Sequence, residues 1–399
     1  MAQSAVLIAL NLLYVGFGAV LGLIQGGLPP LLMAGGSDIG QAGWAYAFYM
    51  PFGLAFLWAP LIDRWQPAGV CRRRGWVTLM QLLTVLAISG LALSEQANLG
   101  LLIALGFTAA FAMATMDLAL DGLAVEHIAP RFRGWAAGSK LAALSLGAML
   151  GGGVLLAQFE VWGQRMSFLL LAGLLVCLLL PFLALRLPEM HSSASNRSTP
   201  NCRPKKRPAS LIRLLAEPAA SRRLAVLAIV CAIIFPATGL NRLMLMSLGV
   251  PVEQIGWIVG TLGPVGMILA SAAAVPLINI WGNRAGLLVF CGIGLAAICL
   301  MLAGVVLVWP LAALVGAVII GGSVGGIFVV YAAMILGWAK GVQPVTDYAA
   351  YYGISRFVAA LAMMLSAQVV QHIDWAWYFA ILAVLFAALM FYFYKENHH

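Results

Sequence analysis

Charged side chains are scarce in this sequence. Only 9% of its 399 residues are Asp, Glu, Lys or Arg, whereas 63% are hydrophobic, and the mean hydropathy is +1.00. A soluble domain usually carries about 25% charged residues, so this composition excludes a water-soluble fold. In lipid, only helices and closed barrels satisfy all their backbone hydrogen-bonding groups. The apolar runs are about 20 residues long and do not alternate with polar residues, which predicts membrane-spanning helices.

Motifs for nucleotide hydrolysis, metal binding and disulfide formation are also lacking. The sequence has no G-x-x-x-x-G-K-S/T motif, so no ATPase motor is predicted. No His/Cys group has metal-ligand spacing, and four of the six cysteines lie in apolar runs, where a thiol acts as a small hydrophobic group. The polar loops are too short for a catalytic domain. We therefore predict that the protein is not an enzyme and has neither a cofactor nor a metal site.

The apolar runs predict an all-α integral membrane protein with twelve spans. Residues 1–187 are predicted to form an N-terminal six-helix bundle, 188–222 a cytoplasmic linker, and 223–399 a C-terminal six-helix bundle. The linker is the only long hydrophilic segment, which favours a flexible connection. The expected spans are 6–33, 42–62, 76–95, 98–120, 134–158, 165–187, 224–248, 254–279, 285–307, 310–337, 346–371 and 374–395.

The basic residues predict the orientation of the chain. If the N-terminus faces the cytoplasm, the cytoplasmic segments hold 18 of the 22 Lys and Arg residues, and the opposite loops hold only Arg165. Cytoplasmic loops of membrane proteins carry an excess of basic residues. We therefore expect both termini and the linker in the cytoplasm.

A repeat with a spacing of 216 residues relates the two sets of spans. The loop sequence from Phe56 to Arg64 has a weaker copy from Pro276 to Arg284. The same shift places Ser139-Lys140 on Ser355-Arg356, and Gln25 on Asn241. These matches predict two six-helix bundles related by a parallel repeat, as in the major facilitator architecture.

A few polar residues within the predicted spans are candidates for solute binding. Ionisable residues are costly in lipid, so each is a functional candidate. If they face a central cavity, they give it a positive, hydrogen-bonding lining that suits an anionic solute. The alternative is that Lys140 extends to the interface and Arg356 is a structural ion-pair partner. The candidate substrate-binding residues are Gln25, Lys140, Asn241, Arg242 and Arg356.

A second group of charged residues is predicted to act in proton coupling or gating. Asp117 and Asp121 are four residues apart, so they share one face of the fourth span. A proton-coupled carrier needs an acid that loses and regains a proton, and burial can raise a carboxylate pKa for this purpose. The favoured alternative is a gate in which these acids hold Arg64 or the loop arginines. The full group is Asp63, Arg64, Asp117, Asp121 and Arg133.

Several motifs resemble the AmpG-like branch of the major facilitator superfamily. They are Gly26-Gly27-Leu28-Pro29, the run from Phe56 to Arg64, Arg73-Arg74-Gly75-Trp76, the run from Met116 to Val125, Arg133-Gly134 and the glycines from Gly147 to Gly153. The resemblance covers the N-terminal half in detail and the C-terminal half by topology. Where the branch often has Tyr-Arg in the fifth helix, this chain has Leu144-Ser145.

The resemblance implies a secondary transporter of the bacterial inner membrane that works by alternating access. The short chain and the run from Asp121 to Val125 are closest to siderophore importers of the RhtX/FptX type. The expected function is therefore proton-coupled import of a ferric siderophore or a similar anionic solute from periplasm to cytoplasm. The alternatives are a muropeptide (peptidoglycan-fragment) permease and, in another class, a non-transporting membrane assembly factor. The expected partners are this small solute, protons and the lipid bilayer, and nucleic acid is not expected.

Overall fold

The computed structural model describes residues 2–59, 62, 72–94, 99–128, 133–185, 216–338 and 344–395. Within these residues almost the whole chain is helical, as long apolar runs require in lipid. The helices are Ala2–Gly22, Leu28–Ala34, Ile39–Gly43, Met50–Leu54, Arg72–Leu93, Leu99–His127, Arg133–Met149, Leu155–Ala184, Pro218–Gly239, Asn241–Ser247, Val252–Val306, Pro310–Trp338, Pro344–Val370 and Trp375–Lys395, with π-helical segments at Leu23–Gly27 and Leu150–Val154 and 3-10 segments at Trp44–Tyr49 and Ala55–Leu57.

Two of the continuous helical segments each contain a reversal of the chain. Gly163 (φ 71°) interrupts Leu155–Ala184, and Gly282 (φ 82°) interrupts Val252–Val306. Positive φ is accessible to glycine because it has no Cβ. In the first case Gln164, directly after the reversal, donates from Nε2 to Leu91 O at the end of the third span. Nineteen residues later, Leu183 O accepts from Arg74 Nη2 at the start of the third span. The chain after Gly163 therefore runs antiparallel to the third span.

The second span is built from short helical pieces rather than one regular helix. It runs from Ile39 through α-helical and 3-10 turns to Leu57, and Pro51 lies near its middle. Nine helices of the described chain are long and apolar enough to cross a membrane. Two of these contain the reversals, and the irregular second span adds one more crossing. The prediction of twelve spans in two six-helix bundles is thus confirmed.

Two arginines occupy equivalent places in the two bundles. Arg74, at the start of the third span, donates to Leu183 O at the end of the sixth, at 2.7 Å. Arg284, at the start of the ninth span, donates to the carbonyls of Phe393 and Tyr394 at the end of the twelfth. Each guanidinium also lies over an aromatic ring of that helix end, 5.9 Å and 5.2 Å from the ring centroid. A cation at a helix C-terminus satisfies free carbonyls and opposes the helix dipole.

The region between the bundles differs in one respect from the prediction. The seventh span begins at Pro218, inside the segment 188–222 that was expected to be linker. Proline suits the first turn of a helix because its missing N–H has no partner there in any case. Residues 186–215 lie outside the described chain, so the remaining linker and the domain boundaries stay predictions.

Candidate functional site

The charged residues of the fourth and fifth spans form one cluster. Lys140 Nζ lies 3.2 Å from Asp117 Oδ1 and 2.5 Å from Asp121 Oδ1. The spacing of four residues places both carboxylates on one face of Leu99–His127, and Lys140 reaches that face from Arg133–Met149. One ammonium group is therefore shared between two acids of the same bundle.

Arg356 joins this cluster from the other bundle. Its Nη1 lies 3.6 Å from Asp117 Oδ2, so Asp117 pairs with Lys140 through one oxygen and with Arg356 through the other. Lys140 and Arg356 are the two residues that the 216-residue shift superimposes. Residues related by a parallel two-fold repeat lie at the same membrane depth and meet only beside the axis. Asp117 therefore lies close to the axis between the bundles, held by one cation from each.

Tyr14 of the first span completes the cluster. Its hydroxyl donates to Asp121 Oδ1 at 2.6 Å, and Lys140 Nζ lies 4.6 Å from the centroid of its ring. Tyr14 is 3% exposed, whereas the side chain of Asp121 is 52% exposed and that of Asp117 10%. Asp121 is thus the member of the cluster that is most accessible to solvent. Nothing in the sequence pattern singled out Tyr14, because a tyrosine in an apolar helix is usually a packing or interfacial residue.

These contacts change the interpretation of the two acids and two cations. The acids were expected to hold Arg64 or the loop arginines. In the described structure they pair with Lys140 and Arg356, and the expected contact with Arg64 lies outside the described residues. The positive lining predicted from Lys140 and Arg356 is correspondingly reduced, because two carboxylates and two cations have no net charge. Asp63 and Arg64 lie outside the described residues, as does the side chain of Arg133. Their proposed gating roles stay predictions.

Arg242 forms a separate site between the bundles. It follows the break between Pro218–Gly239 and Asn241–Ser247 in the seventh span. Its Nη1 donates to Gly26 O and to Gly152 O, both at 2.5 Å. Gly26 lies in the π-helical turn of the first span and Gly152 in that of the fifth. A π-helical turn leaves carbonyls without their usual i+4 partner, which makes them available to an outside donor.

No carboxylate neutralises Arg242 within the described chain. The ion pairs found there are those of Lys140 and Arg356 with the two acids. A buried cation usually has an anionic partner, because removing a charge from water is costly. Arg242 is instead held by neutral carbonyl dipoles, which leaves its positive charge available to a negatively charged group.

The other two predicted binding residues have different surroundings. Gln25 is half-buried and lies near Tyr49. Asn241 is buried, and its Nδ2 donates to Ala317 O at 3.3 Å within its own bundle, while its Oδ1 has no hydrogen-bond partner in the described structure. The structure therefore brings Lys140 and Arg356 together and places Arg242 apart from them.

Contacts between the bundles close one face of the protein. We call the face where the described chain begins the N-terminal side, and the opposite face the far side. On the far side Gln371 Nε2 donates to Asp38 Oδ1 at 2.5 Å and Gln368 Nε2 to Gly40 O at 2.8 Å. Gly256 also packs directly on the backbone of Ala157. The far side is closed by these contacts and by Arg242, whereas the accessible Asp121 lies toward the N-terminal side.

Comparison with known families gives a match over most of the chain. The family model described as "Major Facilitator Superfamily" matches residues 9–246. Two curated relatives share 30% identity over 178 residues, 43% of this chain, and both are anhydromuropeptide permeases of Escherichia coli, from strain K12 and from O157:H7. The match spans only 36% of the length of each relative.

Solved structures with the same fold cover nearly the whole chain. A D-xylose-proton symporter has a TM-score of 0.73 at 10% identity and covers 99% of this chain and 98% of its own. A nucleoside transporter has a TM-score of 0.68 at 13% identity and covers 99% of this chain and 100% of its own. A bacterial homologue of the human lysosomal transporter Spinster, solved in an inward-facing conformation, has a TM-score of 0.64 at 17% identity over 93% of this chain and 83% of its own. At these identities the likeness concerns the fold.

Proposed function

Because this chain belongs to the Major Facilitator Superfamily, we propose that it is a permease for peptidoglycan fragments of the anhydromuropeptide type. The family is one of multi-pass membrane transporters, which work by alternating exposure of a site between two bundles. The proposal adds the solute, the direction of import and the coupling to protons. It also adds the location, with the protein in the bacterial inner membrane and both termini in the cytoplasm.

The observation that carries the proposal is the match to anhydromuropeptide permeases over 178 residues at 30% identity. The expectation of siderophore import receives no support from the relatives, and its alternative, the muropeptide permease, is favoured. The match covers 43% of this chain, so the solute itself stays a proposal. That the protein is a transporter rather than an enzyme agrees with both the family and the named relatives.

The geometry between the bundles fits such a solute. A peptidoglycan fragment combines a neutral sugar with a peptide that carries carboxylates. Arg242 offers an un-neutralised guanidinium, and guanidinium groups bind carboxylates in a planar, bidentate manner. Gln25 adds an amide group in the first span, next to Gly26, whereas Asn241 is buried and donates to Ala317 O within its own bundle. The Gln25 amide matches the amide and hydroxyl content of the solute.

The cluster at Asp117 supplies a route for proton coupling. Asp121 is the accessible acid and exchanges protons with solvent from the N-terminal side. Protonation of Asp121 removes one negative charge, so that Lys140 keeps an ion pair with Asp117 alone. Because Asp117 also holds Arg356 of the other bundle, a change at Asp121 is transmitted to the only ion pair that joins the bundles within the described chain.

The test is uptake of labelled anhydromuropeptide by right-side-out membrane vesicles that contain the protein. We expect accumulation that requires an inward proton gradient and collapses when a protonophore is added. Vesicles without the protein are the control, and labelled ferric siderophore is measured in parallel. Uptake of the siderophore alone would support ferric siderophore import, the function expected from the sequence, against the proposed muropeptide permease. Transport of neither solute, with no solute-dependent conformational change, would favour the assembly factor.

A further inference from the structure

We propose that the Nε–Nη2 edge of Arg242 binds a carboxylate of the transported solute, and that the carbonyls of Gly26 and Gly152 hold the same side chain while the far side is closed. This inference rests on the proposed function and adds to it which edge of the guanidinium binds the carboxylate and what holds the same side chain while the far side is closed. It concerns a single side chain, which lies apart from the charged cluster at Asp117.

Arg242 uses only part of its hydrogen-bonding capacity in the described structure. A guanidinium has five N–H donors, two of them on Nη1. Both bonds found for Arg242 start from Nη1, and the donors on Nε and Nη2 have no partner among the described residues. Arg242 is half-buried, and neither atom is among the fully buried polar atoms that lack a partner in that part of the chain, so each keeps some exposed surface. The edge that usually binds a carboxylate is therefore accessible.

The backbone around the guanidinium is shaped for it. A Cβ on Gly26 would overlap the guanidinium group, and a Cβ on Gly152 would lie 3.4 Å from Nη1. Both positions lie in π-helical turns, which are frequent at functional sites. Glycine at position 26 is thus required for Arg242 to reach the carbonyls. Because Tyr46 donates to Gly239 O at 2.6 Å, the break beside Arg242 is also fixed against the second span.

The position of Arg242 beside the axis couples binding to opening. Gly26 and Arg242 are 216 residues apart, the spacing of the internal repeat, and they touch. Gly26 and Gly152 belong to the first bundle and Arg242 to the second, so separation of the bundles on the far side must break both bonds. The guanidinium of Arg242 then needs another hydrogen-bond acceptor. A carboxylate that enters from the far side supplies it, whereas a neutral solute leaves the guanidinium without a partner.

Lys140 and Arg356 are weaker candidates for this role. Lys140 is bound to two carboxylates and Arg356 to one. A solute carboxylate there would have to displace an aspartate that is fixed in the fold. At Arg242 it binds an edge that has no partner among the described residues, and charge-assisted bonds are roughly twice as strong as neutral ones.

The test compares a charged with a neutralised solute in proteoliposomes that contain the full chain. Binding of anhydromuropeptide and of the same compound with its carboxylates converted to carboxamides is measured for the wild type, Arg242→Gln and Arg242→Lys. The matched control is Arg284→Gln, which removes an arginine that also donates to two carbonyls but within one bundle. We expect the wild type and the control to bind the charged solute about tenfold to a hundredfold more tightly than the carboxamide, as for loss of a charge-assisted bidentate pair.

Arg242→Gln should bind both compounds with the same weak affinity, and Arg242→Lys should keep part of the preference because it keeps the charge without the planar fork. Equal binding of the two compounds by the wild type, or a full preference in Arg242→Gln, overturns the inference and leaves the proposed function intact. The comparison of two solutes on the wild type needs no variant to fold. If the wild type binds neither compound, the proposed function fails, and the inference fails with it.

Discussion

Substitution of Asp117 by Asn should open the N-terminal side of the protein. Asp117 is the acid that holds Arg356 across the bundle interface at 3.6 Å. An amide of the same size keeps the packing but removes the charge. We therefore expect the bundles to separate more often on the N-terminal side, with the far-side contacts at Arg242 unchanged.

The magnitude follows from the distance and the exposure of the pair. Two unit charges 3.6 Å apart attract by roughly 5 kcal/mol at an effective dielectric constant of about 20. The side chain of Arg356 is 27% exposed, so water replaces part of this attraction when the pair opens. The net contribution is then about 1–2 kcal/mol, which corresponds to a change of roughly 5- to 30-fold in the ratio of open to closed molecules.

The assay is a distance measurement between two spin labels on the N-terminal side. Gly138 and Gly337 belong to different bundles, and a side chain at either meets nothing within 4 Å. Both are changed to Cys after the six native cysteines have been replaced. Asp117→Asn should enlarge the long-distance population. Asp374→Asn, which removes an exposed acid on the far side, should leave the distances unchanged. If the Asp117→Asn distribution equals that of the parent, Asp117 does not hold this face closed.

Three further sets of substitutions test the remaining features. Asp121→Asn should abolish proton-driven accumulation in vesicles but keep solute exchange; normal accumulation would exclude it as the coupling acid. Gly26→Ala places a methyl group where the guanidinium lies and should lower uptake by roughly tenfold or more. Gly27→Ala places a methyl group 3.0 Å from the end of the Leu23 side chain and 3.3 Å from Gly151 O, and it should lower uptake less; equal effects would refute the requirement. Arg74→Ala and Arg284→Ala should each destabilise the protein by about 1–2 kcal/mol, seen as a lower Tm, and an unchanged Tm for both would show that the helix-end contacts contribute nothing.

The sequence alone was sufficient for the membrane fold and for its internal repeat. A composition with 9% charged residues is compatible only with lipid as the surrounding solvent, and backbone satisfaction in lipid then leaves helices. The repeat is detected when the sequence is compared with itself after a shift of 216 residues, because equivalent positions in two related bundles keep similar residues. The twelve spans and the residues worth examining followed from these two facts, whereas the family was indicated by the resemblance of motifs in the N-terminal half. The second span was less regular and the seventh began earlier than the pattern indicated, since proline and local packing decide such details.

The choice of partners was decided by the tertiary structure. Nothing in the sequence distinguishes Lys140 and Arg356, which carboxylates neutralise, from Arg242, which binds only carbonyls. Charge pairing depends on which helices are neighbours and on distances of a few ångströms, because electrostatic attraction falls with separation and with exposure to water. Two acids of the fourth span pair with cations of the fifth and eleventh spans, and Tyr14 joins them from a distant part of the chain. Composition and repeat thus indicated which groups are buried in the membrane, whereas packing determined which of them pair with carboxylates and which with carbonyls in the described structure.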